Sequence, residues 1–244
     1  MAKWQERAQL LFKEDGLQNL KKSNVLVVGV GGVGSFAVEF LVRAGIGNIT
    51  IVDGDDVDVT NINRQLPALH STIGKFKVNV VGDRLIDINP ELNLIKIKEF
   101  LTPERAFEIV SEQFDYVLDC IDSVTPKLNL ILGAKRKRVK IISSMGAGGK
   151  MEAAKVKVSD IGNTVNCMFA KTIKKRLKEH QVDKLKVVFS SEIQDETSLK
   201  LTDGSNFKKS FYGTNSYMPG LFGLYMAETV IRYLLSKKQT MKLD

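Results

Sequence analysis

The chain has 244 residues, of which 43% are hydrophobic and 26% are charged, as in an ordinary globular protein. Its 36 Lys and Arg residues against 28 Asp and Glu give a net charge of +8, which favours an anionic partner, either nucleic acid or a membrane surface. Two cysteines are too few for a disulfide framework, and the charged start contains no signal-peptide core. We therefore expect a reduced, cytoplasmic setting and no insertion into a membrane.

The chain begins with a helical pattern and then a strand–helix–strand pattern. Residues 3–22 have the apolar spacing of an amphipathic helix, which we expect Gly16 to interrupt. The β-branched run of residues 25–28 predicts a buried parallel strand. An amphipathic helix that ends at Gly45 follows, and residues 49–52 predict a second strand.

Four glycines and one aspartate mark this first unit as a nucleotide site. Gly29, Gly31 and Gly34 have G-x-G-x-x-G spacing, with Gly32 between them, and Asp53 directly follows the second strand. The spacing predicts phosphates at the helix N-terminus and a ribose hydroxyl at Asp53. This signal alone is compatible with NAD, FAD, a SAM-like ligand or ATP.

The rest of the chain continues the alternation of strands and helices. Predicted strands cover residues 94–97, 116–120, 140–144, 156–158 and 187–190, and predicted helices cover 75–88, 103–112, 126–137, 169–178 and 221–235. Residues 194–216 are polar and predict a mobile loop. We expect an α/β fold with a Rossmann-like, doubly wound, mostly parallel sheet, after an N-terminal helical segment. One domain would span 1–244, with a nucleotide-binding half (24–145) and a mixed α/β half facing the substrate (146–244).

Polar residues after the second strand exceed what a hydride-carrying cofactor needs. Asp55 and Asn61 follow Asp53, and Arg64, Lys77 and Asp122 come from three segments that this fold brings to one edge of the sheet. Two cations and a carboxylate that holds Mg²⁺ suit a triphosphate that is cleaved. A dinucleotide pyrophosphate needs only the helix N-terminus.

These motifs resemble those of the ubiquitin-activating-enzyme-like (HesA/MoeB/ThiF) superfamily. The resemblance rests on the run from Asp53 to Gln65, on Gly74-x-x-Lys77 and on Asp119-x-x-Asp122-Ser123. It implies binding of ATP and Mg²⁺, and adenylation of a carboxylate.

The resemblance also implies a role for each motif residue. The glycines, Asp53, Asp55 and Asn61 would bind the nucleotide, with Asp53 and Asn61 at the ribose. Arg64 and Lys77 would hold the phosphates and Asp122 the magnesium. Arg7 matches an arginine that reaches the partner subunit's ATP, so the resemblance implies a homodimer. A monovalent cation, which some relatives bind, cannot be read from these residues.

Within the superfamily, the chain resembles the branch that dehydrates threonylcarbamoyladenosine in tRNA. The similarity runs nearly end to end, through residues 121–127, 143–149, 187–192 and 213–217. It implies ATP-dependent adenylation of the threonyl carboxylate beside the anticodon and ring closure with net loss of water.

Three other functions stay open. An adenylyltransferase that activates a ubiquitin-like sulfur carrier usually carries paired C-x-x-C zinc ligands; this sequence has none, so no structural zinc is expected. A sulfur-relay protein is a separate candidate partner of this chain. An NAD-dependent oxidoreductase would rest only on the glycines and Asp53. A nucleotide-gated RNA-binding module would not need Arg64, Lys77 and Asp122 together.

Several reactive residues have plainer interpretations. Cys120 fits a buried strand, Cys167 the start of a helix, and His70 and His180 lack partners at metal-ligand spacing. The glycines of 146–149 fit either a turn or a contact with the substrate. Basic residues cluster at 135–140, 171–178 and 208–209, and the last two clusters are the candidates for tRNA phosphate contacts.

Overall fold

A seven-stranded sheet runs through the computed structural model, which describes residues 3–202 and 210–237. Its strand order is β3-β2-β1-β4-β5-β7-β6. The strands are β1 (Asn24–Val28), β2 (Asn48–Val52), β3 (Asn93–Ile97), β4 (Tyr116–Asp119), β5 (Lys140–Ser144), β6 (Val156–Asp160) and β7 (Lys186–Ser190). All neighbours are parallel except the edge strand β6, which is antiparallel to β7. The predicted mostly parallel sheet is confirmed.

Helices cover both faces of the sheet, as the doubly wound prediction requires. They are α1 (Glu6–Lys22), α2 (Gly34–Ala44), α3 (Lys77–Ile88), α4 (Pro103–Glu108), α5 (Val124–Arg136), α6 (Met168–Glu179) and α7 (Met218–Ser236). Val25 and Val27 of β1 face a core shared with α1, α2, α3 and α7. Leu26 and Val28 face a second core with α4, α5 and α6. Because successive side chains of a strand alternate between faces, both sides of β1 are apolar.

The N-terminal helix is interrupted at Lys13, so the prediction of an interruption at Gly16 was wrong. Lys13 has φ 61° and ψ 172°, outside the helical region. Gly16 lies inside the helix, where a Cβ would come 2.9 Å from Leu235 of α7. This glycine therefore allows α1 to pack closely against α7.

Several helix boundaries differ from the sequence prediction; for example, α7 begins at Met218 instead of residue 221. Helix α3 begins at Lys77 instead of residue 75, and α5 begins at Val124 instead of residue 126. Helix α4 ends at Glu108, four residues earlier than expected. Its start is as predicted, because the hydroxyl of Thr102 accepts a hydrogen bond from Arg105 N–H and Pro103 follows the cap.

The segment 194–216, predicted as a mobile loop, contains regular structure. Its strands β8 (Leu199–Leu201) and β9 (Ser210–Tyr212) pair antiparallel. Each of these strands has only three residues, so the sequence shows too little alternation of apolar and polar residues to predict a strand. In residues 3–202 and 210–237, no helix combines the length and apolar character needed to cross a membrane.

The glycine turn after β1 depends on a close backbone approach. Gly29 has φ +87°, which L side chains rarely adopt. A Cβ on Gly34 would lie 1.8 Å from the carbonyl oxygen of Gly29. Only glycine at this position lets α2 begin directly against the end of β1.

The substitution Gly34→Ala should therefore destabilise the protein by at least about 2 kcal/mol, since the added methyl group overpacks against backbone that cannot move. Gly146→Ala is the matched control, because a Cβ there meets only the Cβ of Phe169 at 3.6 Å. Its cost should stay within about 0.5 kcal/mol. Urea denaturation of both variants measures the difference, and equal midpoints would contradict this account of the turn.

Candidate active site

The predicted site residues gather at the carboxyl ends of the parallel strands. Asp53 follows β2, Asp119 ends β4 and Asp122 lies three residues beyond it. Strand β1 lies between β2 and β4. From β1 the chain adds β2 and β3 on one side and then β4 and β5 on the other, so the strand order reverses beside the glycine turn. This reversal is where open α/β sheets bind their ligands.

Asp53 connects the glycine turn to the polar segment after β2. Its Oδ2 accepts a hydrogen bond from Val30 N–H at 2.8 Å, and its Oδ1 accepts one from Asp55 N–H at 2.9 Å. Burial raises the pKa of Asp53, while the nearby charge of Lys77 opposes that rise. The carboxylate thus holds both segments and keeps its remaining lone pairs for a ligand.

Lys77, the first residue of α3, is 4% exposed. Its ammonium lies 2.7 Å from Asp55 Oδ2. A lysine ammonium has three N–H donors, so this ion pair leaves donors for a phosphate oxygen. The structure therefore brings Asp53, Asp55 and Lys77 together, as predicted.

A short 3-10 helix, Val59–Asn61, positions Asn61 and Arg64. The Oδ1 of Asn61 accepts a hydrogen bond from Asp58 N–H at 3.3 Å, which fixes the buried carboxamide. Arg64 Nη1 donates to Thr60 O at 2.7 Å and to Asn63 Oδ1 at 2.9 Å. The guanidinium is thus held in one orientation.

Arg64 and Asp122 are electrostatically coupled. Burial lowers the pKa of Arg64, and the negative charge of Asp122 opposes this change. Two segments nearly sixty residues apart in the sequence therefore lie close enough for their charges to interact. The guanidinium keeps its charge there, since an arginine side chain stays protonated.

The wall of the glycine turn contains Gln65, a residue to which the sequence motifs give no role. A Cβ on Gly31 would lie 3.5 Å from Gln65 Oε1, and a Cβ on Gly32 would lie 3.1 Å from Pro219 of α7. Among the described residues, Gln65 Oε1 is a buried acceptor with no hydrogen-bond partner. Such an atom is costly unless a ligand or water donates to it, which marks Gln65 as a further site candidate.

Lys127 is the second residue whose role was missed. It is fully buried, and its ammonium lies 2.7 Å from Asp119 Oδ2, which is also fully buried. It also donates to Ser143 Oγ at 3.0 Å and Ser144 O at 2.9 Å. The ion pair ties the first turn of α5 to the ends of β4 and β5, beside Asp122. A lysine on an otherwise apolar helix face was the available signal.

The C-terminal half of the chain contacts the nucleotide motif directly. Asn63 Nδ2 donates to Thr214 O at 2.8 Å, and a Cβ on Gly148 would lie 3.0 Å from Tyr212. Asn215 Nδ2 donates to Lys150 O at 3.0 Å. Residues 146–150 and 212–215 therefore form a further wall next to Arg64.

Other candidates do not join this cluster. Arg7 is exposed on α1, and within the described ranges no hydrogen bond or ion pair links it to the site. Cys120 packs against Gly29 and Gly34, and burial raises the pKa of its thiol. Cys167 is buried just before α6. His70 and His180 are exposed, and the described residues contain no group of three or more metal-ligating side chains.

These features define a nucleotide-binding α/β protein whose site adds cations and carboxylates to a glycine turn. The ThiF family model matches residues 5–243, so the chain belongs to the ThiF family. It is 38% identical over 237 residues to tRNA threonylcarbamoyladenosine dehydratase of Bacillus subtilis, covering 94% of this chain and 93% of that protein.

Solved structures of the E. coli tRNA N6-threonylcarbamoyladenosine dehydratase TcdA are similar over 96% of both chains. The complex with AMP has a TM-score of 0.86 at 33% identity, and the complex with ATP has 0.85 at 32%. The molybdopterin-synthase adenylyltransferase of E. coli is 37% identical over 141 residues, which covers 58% of this chain and 55% of that protein.

Replacement of Lys127 by methionine should destabilise the fold by about 3–5 kcal/mol, because it leaves the Asp119 carboxylate buried without its counter-charge. The double variant Lys127→Met/Asp119→Asn removes that charge and should recover at least about 1 kcal/mol of the loss. Chemical denaturation gives both values. If Lys127→Met unfolds at the wild-type midpoint, the ion pair does not stabilise this edge.

Proposed function

We propose that this protein is an ATP-dependent tRNA-modifying enzyme that dehydrates threonylcarbamoyladenosine to its cyclic form. The observation that carries the proposal is the convergence of Arg64, Asp122 and the Lys77–Asp55 pair around the glycine turn. Similarity over nearly the whole length to dehydratases of this name supports the choice of substrate.

In this proposal, ATP lies along the carboxyl edge of the sheet. The turn of Gly29, Gly31, Gly32 and Gly34 offers backbone N–H groups and the N-terminus of α2, which has no side-chain cap. Asp53 and Asn61 hold the ribose. Arg64 and Lys77 hold the phosphates and balance the charge that develops as pyrophosphate leaves.

The residues present also fit a magnesium ion. Mg²⁺ prefers oxygen ligands and is usually held by one or two carboxylates together with substrate phosphates, not by a closed protein cage. Asp122 is an exposed carboxylate at the edge where the triphosphate would lie. When bound, the ion would neutralise charge on the phosphates; Asp122 is the residue that would hold it.

The chemistry needs two steps at one site. In the first, an oxygen of the threonyl carboxylate attacks the α-phosphorus of ATP, and the bond to pyrophosphate breaks. In the second, an atom of the carbamoyl group attacks the resulting acyl-adenylate, a ring closes and AMP leaves with the carboxylate oxygen. The nucleoside loses one water overall, and that oxygen ends in AMP.

No thiol of the chain has to take part, because the nucleophile for ring closure belongs to the substrate. Burial raises the pKa of Cys120, which keeps its sulfur protonated and unreactive. Catalysis then consists of positioning and electrostatic stabilisation by fixed groups. Arg64, held by two hydrogen bonds, is already oriented for this work.

Activation of a sulfur-carrier protein is the alternative within the same family. The adenylyltransferase relative supports the shared chemistry of carboxylate adenylation, but its match covers little more than half of either chain. We therefore assign the carboxylate to tRNA. A cytoplasmic location, the absence of a structural zinc and the division into two halves of one domain remain predictions.

Helix α6 is the proposed contact for the tRNA backbone near the site. Lys171, Lys175 and Lys178 are exposed at spacings of four and three residues, so they share one helix face. Lys208 and Lys209, also predicted to contact tRNA, lie outside the described residues. The exposed face suits phosphates, which supply most of the affinity for nucleic acids.

We also propose a homodimer. Leu10 and Leu11 are 72% and 75% exposed on the same helix as Arg7, and Trp4 is 43% exposed just before it. A second copy that covers these side chains would remove apolar surface from water and bring its own Arg7 near the ATP of the first.

The first test is pyrophosphate release from ATP. Release should depend on tRNA that carries threonylcarbamoyladenosine, and Asp122→Ala should lower it by at least about 100-fold, since a main metal ligand is lost. Asp87→Ala, which removes an exposed carboxylate of α3, is the control and should leave the rate unchanged. Release driven by a sulfur-carrier tail peptide and not by modified tRNA would contradict the proposal.

The dimer is tested by mixing two inactive variants. Arg7→Ala and Asp122→Ala should each be inactive alone. A mixed dimer contains one site with its own Asp122 and the partner's Arg7 intact, so subunit exchange should restore about a quarter of wild-type activity. If the mixture stays inactive while ultracentrifugation shows that the subunits exchange, Arg7 does not act across an interface.

A further inference from the structure

A second concentration of positive charge lies at the opposite edge of the sheet from the nucleotide site. A cavity of about 400 Å³ opens where β4, β5 and β7 begin. Five cationic side chains line it: Lys135, Arg138, Lys140, Lys184 and Lys186. We call this space the distal basic cavity. Among the described residues, its only acidic lining residue is Asp160, at the end of β6.

The carboxylate of Asp160 is already engaged by the backbone. Its Oδ1 accepts from Gly162 N–H at 2.8 Å, and its Oδ2 accepts from Leu185 N–H at 3.2 Å. No ion pair joins any of the five cations to a carboxylate within residues 3–202 and 210–237. Burial lowers the pKa of Lys135, and the charge of Lys140 lowers it further while Asp160 opposes both. Asp160 therefore compensates part of the positive charge, and within the described residues no ion pair neutralises the rest.

Two tyrosine rings form an ordered part of the cavity wall. Tyr116 and Tyr233 meet edge to face, with ring centroids 5.3 Å apart, and the ammonium of Lys140 lies 5.9 Å from the centre of the Tyr233 ring. Burial raises the pKa of Tyr116 to about 12, so its hydroxyl keeps its proton at neutral pH. The cavity wall thus places two packed tyrosine rings beside a lysine ammonium.

Stabilisation of the fold explains only part of the positive charge around the cavity. Helix α5 ends beside the cavity, and cations at a helix C-terminus are favoured by a partial charge of roughly half an electron. That cannot balance five cations. In addition, Arg138 has φ +56°, a left-handed conformation that costs about 1 kcal/mol or more for a residue with a side chain.

Helix α6 connects the two edges of the sheet. It begins beside the end of β7, where Asn166 Nδ2 donates to Ser191 O at 2.9 Å. It ends at Glu179, from which the chain returns into β7 at Lys186. Its 12 residues span about 18 Å. The exposed lysines of α6 therefore form a row of positive charge between the nucleotide edge and the distal basic cavity, which Lys184 and Lys186 line.

We infer that the distal basic cavity is a second phosphate-binding site for the RNA substrate, reached along the lysine face of α6. It would hold a backbone segment of the tRNA away from the nucleotide that reacts. This inference rests on the proposed function and deepens it, since it adds a tRNA-binding contact that does not depend on ATP. A contact of this kind strengthens binding without reading sequence.

The test is the salt dependence of tRNA binding to the full chain without ATP, measured by fluorescence anisotropy. The variant Lys140→Glu/Lys186→Glu should bind tRNA about tenfold more weakly, with the slope of log Kd against log salt reduced by about 2. Its KM for modified tRNA should rise, while ATP affinity and kcat at saturating tRNA stay unchanged. Lys22→Glu/Lys96→Glu makes the same charge change at exposed positions elsewhere and should match the wild type.

Wild-type affinity and slope in the cavity variant would overturn the inference, as would loss of binding to anionic lipid vesicles while tRNA binding persists. If the reversal variant does not fold, Lys140→Gln/Lys186→Gln should reduce the slope by a similar amount, and an unchanged slope there is equally decisive. A wild-type protein whose pyrophosphate release ignores modified tRNA would instead contradict the proposed function itself, and the inference with it.

Discussion

The carboxylate of Asp53 is the point on which the nucleotide edge depends. It accepts one hydrogen bond from the glycine turn, at Val30, and one from the segment after β2, at Asp55. Asp55 in turn pairs with Lys77 at the start of α3. The glycine turn, the segment after β2 and the start of α3, which are separate in the sequence, are thereby fixed to one another. Such a network keeps groups oriented before a ligand arrives, which is how electrostatic catalysis avoids the cost of reorganisation.

A fully buried ion pair plays the same part on the other side of β1. Lys127 and Asp119 secure α5 against β4 and β5, and Asp122 lies on the turn between them. A buried pair of charges is weak support for stability by itself, because desolvation offsets most of the attraction. Its effect here is geometric: it fixes the turn that carries Asp122, whose negative charge acts on the guanidinium of Arg64.

The sequence predicted the sheet because buried parallel strands are apolar on both faces and therefore stand out as short runs such as Val25–Val28. It also predicted which polar residues converge, since a doubly wound sheet brings strand ends to one edge. It missed the antiparallel pair β8–β9, whose strands have three residues each and little apolar alternation. It placed the break in α1 at Gly16, where close packing against Leu235, not backbone freedom, requires glycine.

The roles of Lys127 and Gln65 were missed for a different reason. Burial of a charged or amide side chain depends on tertiary neighbours. The apolar helix face around Lys127 was the one local signal, and nothing local marks Gln65. The distal basic cavity shows the same limit. Its cations come from the end of α5, the start of β5 and the approach to β7, and only the folded chain brings them around one space.

The central claim is that the threonyl carboxylate of the modified tRNA is adenylated and then cyclised. It is tested most directly by labelling that carboxylate with a heavy oxygen isotope and analysing both products by mass spectrometry after one turnover with ATP. The account predicts that AMP gains one heavy oxygen and that the nucleoside loses that same oxygen together with two hydrogens. Unlabelled AMP, or ADP in its place, would contradict it.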